Sequence, residues 1–278
     1  MSAGNLTIKD MVERHASGLW GEGSHRKGAM AFLYEISEII PEPFSEFKKG
    51  DFDQIIEALQ KRKNRNSTIN RKINALTKLL RYAVTTGELP NVPVYKRLDE
   101  HSNQLRFLSS KEEHLIINSI ATRSKPYAAL TSLLVETGVT LGEAIAIRWE
   151  SIQPHKIRIV ESSIGLGRTL PLTKKAKNAI EEMKTEAKGP FCGIEQPKYR
   201  GVWNEVKLEV GLEDSSIVPT ILRHTCAARL AKRGIDLRIV QKWLGNRNYK
   251  SMIRYETLVS PDNFALCLAA LETADYNE

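Results

Sequence analysis

The 278 residues carry 41 Lys+Arg against 33 Asp+Glu, a formal net charge of +8, with 41% hydrophobic and 27% charged residues, a balance ordinary for a soluble globular protein of one large or two small domains. No apolar run approaches the ~18 residues of a membrane span. Met1 to Lys9 lacks a basic-then-apolar signal pattern. Cys192, Cys226 and Cys267 lie far apart, with no CxxC or metal spacing. A cytoplasmic protein is expected, with no membrane partner, cofactor or metal, whose three cysteines are small buried hydrophobes.

In chain order, amphipathic patterning predicts helices over Leu6–Gly18, His25–Ile40 (ended by Pro41-Glu-Pro43) and Asp51–Lys61. Ile69, Ile73, Leu76, Leu80 and Ala83 recur at helical spacing and predict a helix over Ser67–Val84, with Arg71 and Lys78 on the opposite face and Gly87 as its cap. Leu98–Arg106 reads as a linker, so the expected division is 1–97, a linker over 98–106, and 107–278. Ser109-x-x-Glu112 is a capping box. Helices over Tyr127–Thr137 and Leu141–Trp149 flank Gly138, and Ile157–Val160 pairs with Arg168–Leu172 around the turn Gly165-Leu-Gly167. Further helices are predicted over Lys174–Lys188, Gly201–Val210, Leu222–Arg233, Asp236–Leu244 (N-cap Asp236, C-cap Gly245) and Pro261–Ala274. The fold class is mainly α: a helical N-terminal domain, then a helical domain with a small antiparallel β-sheet.

The basic charge is clustered. Lys61 to Tyr82 holds eight basic residues and no acid, and Arg223 to Arg254 holds nine against Asp236 alone. Two acid-poor basic segments in different halves point to a polyanion gripped from two sides. The candidate contacts are Arg62, Lys63, Arg65, Arg71, Lys72, Lys78, Lys174, Lys175, Arg223 and Arg247. A run such as Lys61–Arg65 also reads as a solvated helix end, and Trp149, Trp203 and Trp243 at helical positions read as core.

Three segments carry a resemblance, in order. Glu136-Thr-Gly-Val-Thr-Leu-Gly-Glu-Ala-Ile-Ala-Ile-Arg-Trp149 resembles the tyrosine recombinase (phage integrase) signature T-G-x-R-x-x-E-x-x-x-L-x-W. Arg168-Thr-Leu-Pro-Leu172 resembles the second strand of that family's hairpin. Pro219-Thr-Ile-Leu-Arg-His-Thr, then Trp243-Leu-Gly-Asn246 and Arg254-Tyr255, resemble its H-x-L-R-H, L-G-H and Y block. The N-terminal half, particularly Ser67-Thr-Ile-Asn70, is similar to the family's helical, SAM-like core-binding domain, with no separate arm-type domain expected before Leu6. The resemblance implies an integrase-type catalytic fold and double-stranded DNA as partner. The C-terminal helix, whose Phe264, Leu268 and Leu271 share an apolar face, docks either on its own domain or on a neighbouring subunit, and the expectation is a monomer in free solution whose self-association, where it occurs, is on DNA through this helix.

The family's chemistry has a tyrosine attack a DNA phosphate, with two arginines and histidine or tryptophan donors stabilising the transition state and a lysine as general acid. Matched residue by residue, the arginine positions are Thr140 and Arg223, the lysine falls at or near Ser163, the histidines of H-x-L-R-H and L-G-H are Thr220 and Asn246, and the nucleophile is Tyr255. Two of the six are kept, Arg223 and Tyr255. Nothing in the sequence replaces an arginine at Thr140, whereas Lys174 or Lys175 lies near enough to stand in for the lysine. The expectation is a DNA-binding regulator, repressor-like and derived from a phage or mobile element, that does not cut DNA. The alternatives are a divergent recombinase using Tyr255 and an inactive subunit paired with an active one. Glu143 is expected to pair with a cation, and His224 to pack or hydrogen-bond.

Overall fold

The hydroxyl of Thr7 accepts the Asp10 N–H at 3.1 Å while the Asp10 carboxylate accepts the Thr7 N–H at 3.0 Å, which fixes the start of the first helix, α1 (Ile8–Leu19). The computed structural model describes residues 6–100, 105–162, 165–183, 188–259 and 268, in two compact units, Met1–Ser102 and Asn103–Glu278. The predicted helix over Pro261–Ala274, Ser163 and Cys267 lie outside the described residues, Leu268 excepted.

In the first unit α1 is followed by α2 (Ser24–Ile39), α3 (Lys49–Lys61) and α4 (Asn66–Thr85). The stripe expected on α4 is the centre of the core: Ile69, Ile73, Leu76, Leu80 and Ala83 are all buried, against Met11, Val12, Leu33, Ile36, Ile55 and Leu59. Asn70, also buried, holds the stretch that follows. Its side-chain N–H groups donate to Leu98 O at 2.9 Å and Glu100 Oε1 at 2.8 Å, and its Oδ1 accepts from Leu98 N at 3.0 Å and Tyr95 Oη at 2.6 Å. The stretch expected as a linker from Leu98 is therefore tied to α4 over its first residues.

The second unit starts with the capping box of Ser109 and Glu112 on α5 (Ser110–Arg123), then α6 (Lys125–Thr137) and α7 (Leu141–Ile145). The helix expected over Leu141–Trp149 stops at Ile145. Arg148 is already extended and Trp149–Ser151 forms one 3-10 turn, because the chain must straighten by Ile152 to pair with Ile157. The expected hairpin is two strands of a three-stranded antiparallel sheet, β1 (Ile152–Gln153), β2 (Lys156–Ile159) and β3 (Arg168–Pro171), in the order β1-β2-β3. Ile157 opposes Leu170, and both point into the core with Ile159. A two-residue strand is too short to show alternation, so β1 is invisible to pattern reading.

Helices α8 (Lys174–Glu181), α9 (Gln196–Glu209), α10 (Thr220–Lys232) and α11 (Leu237–Leu244) complete the unit. α8 ends before the expected Lys188, and α9 starts before the expected Gly201, with Pro197 in its first turn. Asp236 and Gly245 cap α11 as expected. One core gathers α5 to α9, the sheet and the start of α10. A smaller one joins Ala227, Ala231, Leu237, Val240, Leu244, Met252 and Tyr255. Trp203 is buried as expected, whereas Cys192 is exposed, against expectation, in the turn before α9. No helix among the described residues is long and apolar enough to cross a membrane.

Candidate functional site

Two glycines end the helices that surround Arg223. Gly138 (φ 68°) ends α6, and a Cβ there would stand 2.7 Å from Leu244. Gly245 (φ 72°) ends α11, and a Cβ there would stand 2.5 Å from the Arg168 guanidinium. The left-handed conformation and the crowding both require glycine. These tight ends aim backbone carbonyls at Arg223 on α10. Its guanidinium donates to Gly138 O at 2.6 Å, Leu244 O at 2.8 Å and Asn246 Oδ1 at 2.7 Å.

Thr140 is the N-cap of α7. Its hydroxyl accepts from Glu143 N at 3.2 Å and its N–H donates to Glu143 Oε2 at 2.8 Å. Glu143 is held in turn by Arg168 on β3, Nη1 to Oε1 at 2.8 Å and Nη2 to Oε2 at 3.1 Å, in a fork with both side chains nearly buried (7% and 5% exposed). Arg168 also donates to Trp243 O at 2.7 Å and Leu166 O at 3.2 Å. Burial raises the proton affinity of Glu143, but Arg168, the Thr140 N–H and Arg223 outweigh it and hold the carboxyl below its usual range. Glu143 is thus the paired carboxylate that was expected. Its partner was not foreseen: 25 residues separate it from Arg168, and no local spacing links them.

Tyr255 follows α11 in a 3-10 segment and is only 2% exposed. Its hydroxyl lies 2.6 Å from His224 Nδ1. Burial pushes the phenol up to about 12 and pulls the imidazole down to about 4, so at neutral pH the phenol keeps its proton and the ring is neutral. Thr220 is exposed at the first position of α10, and Asn246 is a partner of Arg223.

The candidate DNA contacts divide sharply. Lys63, Arg65, Arg71, Lys174 and Lys175 are exposed. Arg62 is exposed but pairs with Glu35 at 3.2 Å, and Arg247 with Glu161 at 2.7 Å. Lys78 folds back on the end of α1, its Nζ 2.6 Å from Leu19 O and over the Trp20 ring. Lys72 corrects the sequence reading. It is buried, with Nζ 2.6 Å from Glu35 and 3.0 Å from Asn64 Oδ1. Three residues after Ile69 and four before Leu76, it sits on the apolar stripe of α4, and that spacing was the available signal. Lys174 and Lys175, with Arg229 of α10 and Arg233 just after it, line a cleft of about 560 Å³ together with Val135, Leu230 and Trp243.

The pattern of the phage integrase family matches residues 106–260. The tyrosine recombinase XerD of Lacticaseibacillus casei is 25% identical over 230 residues, 73% of this chain and 78% of that protein. The tyrosine recombinase XerA of Pyrococcus horikoshii is 26% identical over 260 residues, 87% of each chain. Among solved structures, a lambda integrase dimer bound to a COC′ core site is similar with a TM-score of 0.78 at 14% identity, over 94% of this chain and 80% of that one.

Proposed function

This chain belongs to the phage integrase family, and on that premise we propose that it binds double-stranded DNA through basic surfaces on both units without cleaving it, as a repressor-like, sequence-specific regulator from a phage or mobile element. The observation that carries this is Thr140. Where the family resemblance calls for an arginine, a short neutral side chain caps α7, and it cannot offer a bidentate charged fork to a phosphate. A second guanidinium, Arg168, shares Glu143 with Arg223, but it is engaged by Glu143, Trp243 O and Leu166 O. Losing one preorganised donor in such a site costs about 10²–10³ in rate. DNA as partner is supported by the exposed cations and by the solved complex of lambda integrase with its core site.

The contact between Tyr255 and His224 supports a second reading. A hydroxyl 2.6 Å from a ring nitrogen has the spacing of a nucleophile and its base, and the similar XerD and XerA proteins are tyrosine recombinases. In that reading the chain is a divergent recombinase. Incubation with nicked suicide duplexes carrying the cognate site, followed by a denaturing gel, separates the two. No protein–DNA adduct is expected, and an adduct abolished by Tyr255→Phe establishes the recombinase instead.

A further inference from the structure

The turn between α3 and α4 is over-determined. Arg62 ends α3, and Lys63 stands at φ 58°, the only described non-glycine residue in the left-handed region. The Lys63 N–H donates to Gln60 O at 2.8 Å and the Asn64 N–H to Leu59 O at 3.1 Å. The Asn64 side-chain N–H also reaches Leu59 O at 3.1 Å, while Asn64 Oδ1 accepts from buried Lys72 at 3.0 Å. Glu35 on α2 closes the set: Oε1 takes Arg62 at 3.2 Å and Oε2 takes Lys72 at 2.6 Å. One carboxylate therefore gathers a cation from each side of the turn and, through Lys72 and Asn64, reaches the turn's own backbone. Burial raises the proton affinity of Glu35, but the two cations outweigh it and keep it ionised.

An acid inside a basic surface weakens that surface's attraction for a polyanion, so its presence needs a reason other than charge. Glu35 engages Arg62 and Lys72 and leaves Lys63 and Arg65 exposed, with no acidic partner among the described residues. Lysine at a left-handed position is less favourable than glycine, so Lys63 stands where stability alone would choose another residue. Resting on the DNA-binding reading above, we infer that Glu35 is a positioning residue: it locks the α3–α4 turn so that Lys63 and Arg65 are presented to the phosphates of duplex DNA.

The test measures affinity of the full chain for a mixed-sequence duplex over a series of KCl concentrations, with thermal melting of each variant as the fold control. Glu35→Gln raises the net charge by one, so a mere bystander acid would give tighter binding; a positioning residue gives several-fold weaker binding. Because Glu35→Gln leaves Lys72 uncompensated, Glu35→Gln with Lys72→Met keeps the net charge unchanged, removes the buried pair and is expected to weaken binding equally. Lys63→Gly is expected to melt no lower than wild type and to lose about 0.9 from the salt slope. Arg62→Ala keeps the Glu35–Lys72–Asn64 link to the turn and removes no free cation, so it is expected to leave the slope unchanged. Tighter binding by Glu35→Gln, or an unchanged slope in Lys63→Gly, overturns the inference while DNA binding stands. A wild-type chain with no salt-dependent affinity for the duplex overturns both.

Discussion

Tyr255 Oη and His224 Nδ1 lie 2.6 Å apart beside the smaller core of the second unit, joining α10 to the 3-10 segment after α11. The pair binds two elements together with a part-buried hydrogen bond, Tyr255 being almost fully covered and His224 half-buried. The same proximity that has the spacing of a nucleophile and its base makes each partner dependent on the other for satisfaction.

That dependence has a pH signature. His224 is pulled down to about 4 by burial, against about 6.5 in an unfolded chain. Between these values the unfolded chain binds a proton that the folded one refuses. The stability is therefore present above about pH 6.5 and lost as pH falls towards 4, by roughly 3 kcal/mol in all. Urea unfolding of wild type and His224→Gln across this window checks it. The difference between the two curves is expected to carry the slope, and a flat difference contradicts it.

Tyr255→Phe removes the hydroxyl and with it the Tyr255 partner of His224 Nδ1, an expected loss of about 1–3 kcal/mol. DNA affinity is expected to stay within twofold (about 0.4 kcal/mol) of wild type, since the hydroxyl is directed to His224. A large affinity loss at unchanged stability would place the phenol at the DNA.

Glu143→Gln leaves the nearly buried Arg168 guanidinium without its counter-charge, which costs about 3–5 kcal/mol. Arg168→Met combined with Glu143→Gln is expected to cost less than the sum of the single changes, because the charges are removed together. Chemical denaturation of the four proteins gives the coupling, and strict additivity would mean that the fork contributes nothing. Thr140→Ala, which removes only the N-cap, is expected to cost about 1 kcal/mol.

The basic residues are expected to sort by exposure. Arg71→Ala, Lys174→Ala and Lys175→Ala should each lower the salt slope of duplex binding by about 0.9 if that side chain meets a phosphate. Lys72→Met should lower the slope no further than Glu35→Gln does, its ammonium being committed to Glu35 and Asn64 rather than to a phosphate. An unchanged slope in Arg71→Ala, together with a fall in Lys72→Met that exceeds that of Glu35→Gln, would invert the assignment of the α4 faces.

By itself the sequence determined the helices, because apolar periodicity and caps act over three or four residues: the stripe from Ile69 to Ala83, the capping box at Ser109 and the glycine ends at Gly138 and Gly245 are all local. The family resemblance added the expectation that Thr140 stands where an arginine would and that Arg223 and Tyr255 hold family positions. Tertiary structure alone decided which charges are available. Arg168 meets Glu143 across 25 residues, Arg223 meets Gly138 across 85, and Lys72 meets Glu35 on a neighbouring helix. Spacing along the chain carries no record of such pairs. They exist because packing brings distant elements together, and because a charge taken from water must find a partner where the fold has put one.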